Sequence, residues 1–389
     1  MIKREITKEF IQSAAEYPVV TVLGPRQSGK TTLSRMTFPD KPYRSLENPD
    51  TRHMAQSDPR GFFSELPEGA ILDEIQRVPE LLSYIQGIVD DSNKPGRFIL
   101  TGSHQPEVHQ AISQSLAGRT SVLTLLPFSL SELNSFHRMW EPFDLIVSGC
   151  FPRLHQENLE PTRFFNGYIQ TYLERDIRAL INLKNIRSFQ QFLMLLAGRI
   201  GRLVNYSSLC NDIGVSANTI RDWISVLQAS QVVLELSPYF ENIRKRVVKS
   251  SKLYFCDTGL AAHLIGITEG RQLLRDPLRG PLYENFVILE IIKKRLNNGQ
   301  RKDLYFYRDN HGNEVDVLIP MGRELIPVEI KSSETFFDDF HKGIRNFKKI
   351  VGKRCRPGAV IYNGDQKLTY KDSEVFNIFR HDGLYDILG

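Results

Sequence analysis

Two stretches hold residue types whose spacing can do chemistry. The first is "GPRQSGKT", Gly24 to Thr31, preceded by the apolar, β-branched run Val19 to Leu23 and followed by "TTLSRM", which can open a helix. Strand, glycine-rich loop and helix start form the context in which backbone N–H groups curl around phosphate oxygens and a helix dipole adds to the attraction. Gly24 and Gly29 let the backbone curl, and Pro25, Arg26, Gln27, Ser28 and Thr32 complete the phosphate cradle. Lys30 reaches the β- and γ-phosphates of ATP, and Thr31 holds Mg²⁺. The second stretch is "EVDVLIPMGRELIPVEIK", Glu314 to Lys331, which reads as two strands joined by a turn. Residues two apart on a strand share a face, so Glu329 and Lys331 are neighbours there and Asp316 can lie across from them. Carboxylates converging on a metal beside a positive group are what metal-dependent phosphodiester cleavage needs. A charge-balanced sheet edge would carry the same residues.

Each stretch needs supporting elements. "GAILDEIQ" ends an apolar strand in Asp73 and Glu74; Asp73 would hold Mg²⁺, directly or through water, and Glu74 would polarise the attacking water. "RFILTGS" ends in Thr101 and Ser103, which could sense the γ-phosphate. "LAGRT" offers Arg119 as an arginine finger, acting in cis or on a neighbouring subunit, or as a plain surface arginine. For the second stretch, the helix "LYENFVILEIIKKRL" supplies Glu284 as a further carboxylate, with Phe286, Ile288, Leu289 and Ile292 as its apolar side. The Ile330 carbonyl could add a ligand.

Between them lies "VNYSSLCNDIGVSANTIRDWISVLQASQVVLEL", a short helix, a turn at Gly214, a second helix capped by Ser216, then a β-like run. That order predicts a winged helix. Ile220, Trp223, Ile224 and Leu227 would face inward; Asn218, Thr219, Arg221 and Asp222 would face a DNA groove. Arg244, Lys245, Arg246 and Lys249 would form a basic wing on phosphates. Such a module packs equally well as a lid on an ATPase core.

The whole chain sets the bounds. Its 389 residues are too many for one ordinary core. The apolar fraction of 41% and charged fraction of 24% are those of a soluble globular protein. No apolar run approaches a membrane span, and the charged start lacks a signal peptide's apolar core. The four cysteines are scattered, so neither a disulfide framework nor a zinc site is expected, and a cytoplasmic setting fits. A net charge of +5 argues against tight nonspecific DNA coating.

"GPRQSGKT", "ILDEIQ", "FILTGS", "LAGRT" and "LPFSLSEL", followed by "GCFPRL", "YLERDI", "LYFCDTGLAAHL" and "GPLYENFVILE", occur in an order that resembles a widespread prokaryotic family of AAA-type P-loop ATPases with a C-terminal domain of unknown function. The constellation Glu284, Asp316, Glu329-x-Lys331 resembles the PD-(D/E)xK nuclease core. That resemblance implies metal on Asp316 and Glu329 supported by Glu284, with Lys331 positioning water. The expected fold is α/β throughout: an AAA-type parallel-sheet domain over residues 1–150, a helical and winged-helix region over 151–265, and a restriction-endonuclease-like domain over 266–389. The expected ligands are ATP and Mg²⁺, with Lys30, Asp73, Glu74 and Arg119 as ATPase residues and Asp316, Glu329 and Lys331 as nuclease residues. DNA, a protein partner and a homo-oligomer stay open. Two functions remain: an ATPase coupled to a DNA-binding or DNA-cleaving domain, or a nucleotide-driven switch or scaffold whose nuclease-like domain binds without cutting. A transcription regulator is a third.

Overall fold

The computed structural model describes residues 2–388 except 93, 104–110, 113, 136–139, 174–185, 241–249 and 372. The N-terminal sheet is built from β1 (Val19–Gly24), β2 (Tyr43–Ser45), β3 (Ala70–Asp73), β4 (Phe98–Ser103) and β5 (Thr120–Thr124). Their spatial order is β2-β3-β4-β1-β5 and every pairing is parallel. Strands of such a sheet are covered on both faces, which is why β1, β3 and β4 read as nearly unbroken apolar runs. Val20 and Val22 pack with Phe10 and Leu33 on one face, and Val19 and Leu23 with Leu82 and Ile85 on the other. The C-terminal ends of β1, β3 and β4 meet along one edge of the sheet. That edge carries Gly24, Asp73 and Ser103.

A second sheet holds β6 (Val233–Pro238), β7 (Lys252–Phe255), β8 (Tyr305–Arg308), β9 (Glu314–Met321), β10 (Glu324–Lys331), β11 (Gly358–Tyr362), β12 (Leu368–Tyr370) and β13 (Ser373–Phe376). Its order is β12-β13-β11-β10-β9-β8-β6-β7. The hairpin β9–β10 expected from the sequence is present, with Val328 opposite Val317. The long helix Arg279–Asn297 precedes β8, and the helix Lys342–Val351 carries the chain from β10 to the parallel β11.

Helices Tyr206–Ile213 and Ala217–Ala229 flank Gly214, whose φ is 76°. The Ser216 side chain accepts from the Thr219 N–H, and Ile220, Trp223, Ile224 and Leu227 are buried as their spacing requires. The β6–β7 pair that follows is antiparallel. The basic stretch with Arg244, Lys245, Arg246 and Lys249 lies outside the described residues, as does most of "YLERDI".

The boundary expected at 265/266 is not a boundary in packing. β6 pairs with β8 at Ser237–Tyr305 and Pro238–Phe306, so the middle region donates a hairpin to the C-terminal sheet. One core joins Leu126, Phe165, Trp223, Phe255, Phe286, Ile326 and Phe376 across both. Sequence pattern sees strands but not which sheet they join. All four cysteines are free, and burial pushes the Cys150 and Cys256 thiols up to about 12. Among the described residues no helix is long and apolar enough to cross a membrane.

Candidate functional site

The loop after β1 is shaped by its two glycines. A Cβ on Gly24 would sit 2.2 Å from the Leu125 carbonyl oxygen, and Gly29 has φ +91°, a left-handed conformation natural to glycine. The Lys30 ammonium is buried and donates to the Gly24 and Pro25 carbonyls at 3.1 and 2.8 Å. Burial lowers its pKa to about 8 against the opposing pull of Glu74 and Asp73. That ammonium can exchange two carbonyls for phosphate oxygens without a large displacement. Beside it, Thr31 Oγ1 donates to Asp73 Oδ1 at 2.9 Å. Tyr43 donates to Asp73 Oδ2 at 2.8 Å, and Thr101 also donates to Asp73. Burial and the Asp73 charge push the Tyr43 phenol up to about 12.

The loop hydroxyl and the strand-end carboxylate therefore meet where a phosphate-bound Mg²⁺ would sit. They fit that ion, which takes one or two protein groups and draws its other ligands from phosphate and water. Thr101 serves Asp73 rather than reaching the γ-phosphate position. Ser103 is buried, and its hydroxyl has no hydrogen-bond partner among the described residues.

Glu74 follows in a left-handed conformation (φ 59°, ψ 48°), unusual for a residue with a side chain. Its carboxylate accepts from the Gln76 amide. A cavity of about 840 Å³ opens here, lined by Arg26, Gln27, Gly29, Lys30, Thr31, Thr32 and Glu74. That volume suits a nucleotide. Its remaining wall is assembled from segments to which the sequence assigned no role. Ile2, Arg4 and Ile11 come from the N-terminus, and Pro152, Arg153 and Tyr172 from the middle region. The Arg26 guanidinium lies 5.3 Å from the centre of the Tyr172 ring. "GCFPRL" thus has a place: it walls the nucleotide cavity. Buried Asp257 fixes it there by accepting from the Cys150 and Leu260 N–H groups at 2.7 and 3.0 Å.

Arg119 is not brought to this cavity. It precedes β5, whose first residue pairs with Val19 at the start of β1, so it sits at the sheet edge opposite the loop. There it holds Asp90 through Nε at 2.5 Å and Nη2 at 2.9 Å. A finger acting in cis is excluded by that position. Arg119→Ala is expected to leave the ATP turnover of dilute protein within about twofold of wild type, as for a surface substitution. Loss of about a thousandfold, the scale of a missing arginine finger, would return the residue to catalysis from a neighbouring subunit.

The C-terminal charges form a second cluster. Lys331 Nζ donates to Asp316 at 2.9 Å and Glu329 at 2.6 Å, while the Ile330 N–H donates to Asp316 at 2.8 Å. The Ile330 N–H is engaged with the carboxylate that its carbonyl was expected to join as a ligand. Glu284 instead faces Lys252 at 3.5 Å and accepts from Tyr254, and Lys252 also pairs with Glu314 at 2.7 Å. Burial, then Asp316, hold the Glu329 carboxyl well above the usual range. Asp316 stays below its usual value despite burial, because Lys331 and Lys252 face it.

Glu284, Asp316 and Glu329 are thus not assembled as three metal ligands. Lys331 bridges Asp316 and Glu329, Lys252 bridges Glu284 and Glu314, and among the described residues no three acidic, histidine or cysteine side chains are placed to hold a metal ion. Lys252, which closes the cluster, arrives from the hairpin of the middle region.

A buried polar seam links the two sites. Arg4 donates to the Ser28 carbonyl at 2.7 Å, the Leu126 carbonyl at 2.6 Å and Glu132 at 2.9 Å. Glu132 also closes a capping box on Ser129. Two residues along "LPFSLSEL" from Leu126, the Phe128 carbonyl accepts from Lys293 at 2.7 Å, and the Leu130 N–H donates to Glu290 at 2.7 Å. Lys293 and Glu290 pair at 2.8 Å on the helix that also bears Glu284.

Three family models match the chain. Residues 16–134 match the family described as AAA domain, 139–271 match Domain of unknown function (DUF8612), and 279–380 match Domain of unknown function (DUF4143). The chain is 30% identical to uncharacterized proteins of Mycobacterium tuberculosis and Mycobacterium bovis over 379 residues, covering 96% of this chain and 82% of theirs. An uncharacterized protein of Haemophilus influenzae is 22% identical over 239 residues, 58% of this chain and 57% of that one. A Walker-type ATPase of Pyrococcus abyssi aligns with a TM-score of 0.47 at 16% identity, over 68% of this chain and 96% of that one. A DNA replication initiation factor aligns with a TM-score of 0.30 at 12% identity, over 76% and 93%.

Proposed function

This chain belongs to the family of the mycobacterial proteins it matches, with an AAA-type P-loop ATPase domain ahead of two domains of unknown function, and from that premise we propose that it is an ATP-driven switch whose C-terminal part binds DNA without cutting it. One observation carries the reading: the nucleotide cavity is walled by Pro152, Arg153 and Tyr172 as well as by the ATPase loop, so the bound nucleotide touches the region that continues into the C-terminal sheet.

On this reading Lys30 leaves the Gly24 and Pro25 carbonyls for the β- and γ-phosphates. Thr31 and Asp73 hold the Mg²⁺, which supplies charge neutralisation on the phosphates when bound. Glu74 releases Gln76 and orients the attacking water, accepting its proton as the water oxygen bonds the γ-phosphorus and the bond to the β,γ-bridging oxygen breaks, leaving ADP and phosphate. The helix order helix–β8–β9–β10–helix–β11 supports a nuclease-like ancestry for the C-terminal part. The helix pair around Gly214 with the β6–β7 hairpin supports a winged helix, with Asn218, Arg221 and Asp222 exposed on its second helix. The lysine-bridged carboxylates favour binding over cleavage, because each would have to lose its cation before ligating a metal.

The test joins three assays on one preparation. Phosphate release should require Mg²⁺ and vanish in Lys30→Ala. A labelled DNA duplex should bind with an affinity that differs between ATP and ADP. Linear, supercoiled and single-stranded DNA should remain intact with Mg²⁺ or Mn²⁺. Cutting that disappears in Asp316→Ala would replace this reading with the nuclease. Absence of any DNA binding would remove DNA from it.

A further inference from the structure

The segment from Lys342 to Arg356 contains Lys342, Arg345, Lys348, Lys349, Lys353, Arg354 and Arg356 and no acidic residue. Its first ten residues form the helix that crosses from β10 to β11. Ile344, Phe347 and Val351 are its buried side: Phe347 and Val351 pack on Val315, Leu318 and Leu325, and Ile344 on Val360. At 100° per residue, Lys342, Arg345 and Lys349 fall within about 60° of one another, on the side opposite those three. The 3-10 turn Gly352–Arg354 extends the line to Lys353. From Lys342 to Lys349 the helix rises about 10 Å. The result is a stripe of exposed cations on a rigid element.

The stripe divides into anchored and free charges. Arg345 faces Asp338 at 3.3 Å, Arg356 faces Glu324 at 3.7 Å, and Arg354 donates to the Tyr239 hydroxyl and the Arg323 carbonyl at 2.9 Å each. Lys342, Lys349 and Lys353 have no carboxylate partner among the described residues and are exposed. A solvated face needs only scattered charge of both signs; the segment's own charges are of a single sign over fifteen residues, and the carboxylates of Asp338 and Glu324 reach Arg345 and Arg356 within it.

We propose that this face, centred on Lys342, Lys349 and Lys353, is the docking surface for the phosphate backbone of DNA. The proposal rests on the DNA-binding reading above and assigns it a surface. Two other occupants fit less well. A membrane would need the apolar side of the helix, and that side is buried in the sheet. A protein partner would need an apolar centre, and among the described residues only two large exposed apolar side chains, Phe337 and Ile350, flank the stripe. Phosphates need only a line of mobile cations, and the structure gives them one. The stripe also borders the second cluster: a Cβ on Gly343 would lie 1.9 Å from Glu329 Oε1, so the first turn of the helix is pressed against the buried carboxylates. Those carboxylates are covered by the helix itself and by Lys331, which leaves the cations as the charges presented outward.

The test uses full-length protein and a fluorescent 30-base-pair duplex, with a single strand as a second probe, across a salt series. The variant Lys342→Gln/Lys349→Gln/Lys353→Gln is compared with wild type and with Lys94→Gln/Lys302→Gln, which removes exposed cations elsewhere. Neutralising three phosphate contacts should weaken binding at least tenfold and lower the slope of log affinity against log salt by about 2 to 3, with ATP turnover unchanged. The control should bind as wild type does. Wild-type binding with an undiminished salt slope in the triple variant overturns the assignment of the surface and leaves the DNA-binding reading standing. No binding by wild type to either probe overturns both.

Discussion

Glu74→Gln is expected to lower ATP turnover by about two to four orders of magnitude while leaving ATP affinity within a few fold. The size is that of a lost general base, about 10²–10⁴. Glutamine keeps the shape of the side chain, so binding contacts persist while the proton acceptor is gone. The backbone argues for a catalytic rather than a packing role. Glu74 holds a left-handed conformation that costs about 1–3 kcal/mol for a residue with a side chain, and it does so where its carboxylate faces Lys30 and Thr31 across the cavity. A residue kept only for solubility would have no reason to sit there. Lys30→Ala is expected to give the contrasting phenotype, losing binding and turnover together, because on the proposed reading its ammonium leaves the Gly24 and Pro25 carbonyls for the phosphates. Phosphate release under saturating ATP, beside equilibrium binding of a fluorescent nucleotide, separates the two. Turnover in Glu74→Gln close to wild type would mean that another group orients the water.

The sequence displays what is contiguous and conceals what is assembled. Gly24 to Thr31 is one loop and Asp73-Glu74 one strand end, and both form as their spacing implies, with Thr31 and Asp73 in hydrogen-bond contact. Tyr43, Arg4 and Tyr172 reach the same site from three other segments; of these only Tyr172 lies in a motif the sequence displayed, "YLERDI", and that motif gave it no role. Tyr43 opens a short strand that pairs beside β3, which brings its hydroxyl to Asp73. Arg119 had a signal against it. A residue that just precedes a parallel strand lies at the edge where strands begin, and phosphate loops lie where strands end. In the C-terminal cluster the period of two correctly joined Asp316, Glu329 and Lys331. It could not reveal Lys252, because that lysine enters through β6–β8 pairing between segments about seventy residues apart. Lys252 pairs with Glu284 and Glu314, so a lysine stands beside the carboxylate expected to support Asp316 and Glu329.

Lys293→Met is expected to cost about 3–5 kcal/mol of stability, the penalty for breaking a buried ion pair and leaving one charge uncompensated. Lys293 and Glu290 are both buried, and each also holds a backbone group of "LPFSLSEL". Burial pushes the Glu290 carboxyl upward, and Lys293 opposes it; removing that ammonium leaves only the Leu130 N–H on the carboxylate. Adding Glu290→Gln should restore part of the loss, since an amide oxygen still accepts from Leu130 and carries no charge. Urea unfolding monitored by fluorescence measures both. A loss under about 1 kcal/mol for Lys293→Met would mean that the pair is not sealed from water. The double variant also bears on function. Arg4 ties the Ser28 carbonyl of the phosphate loop to Leu126 and Glu132, and Lys293 ties the same strap to the helix that bears Glu284 near its start. On the proposed switch reading, a phosphate in the loop would act on the Ser28 peptide held by Arg4, and the Lys293–Phe128 and Glu290–Lys293 contacts would carry that change to the helix. The double variant should therefore hydrolyse ATP yet bind DNA with one affinity in ATP and in ADP. If the difference between the two nucleotides survives, coupling runs through the cavity wall of Pro152, Arg153 and Tyr172 instead.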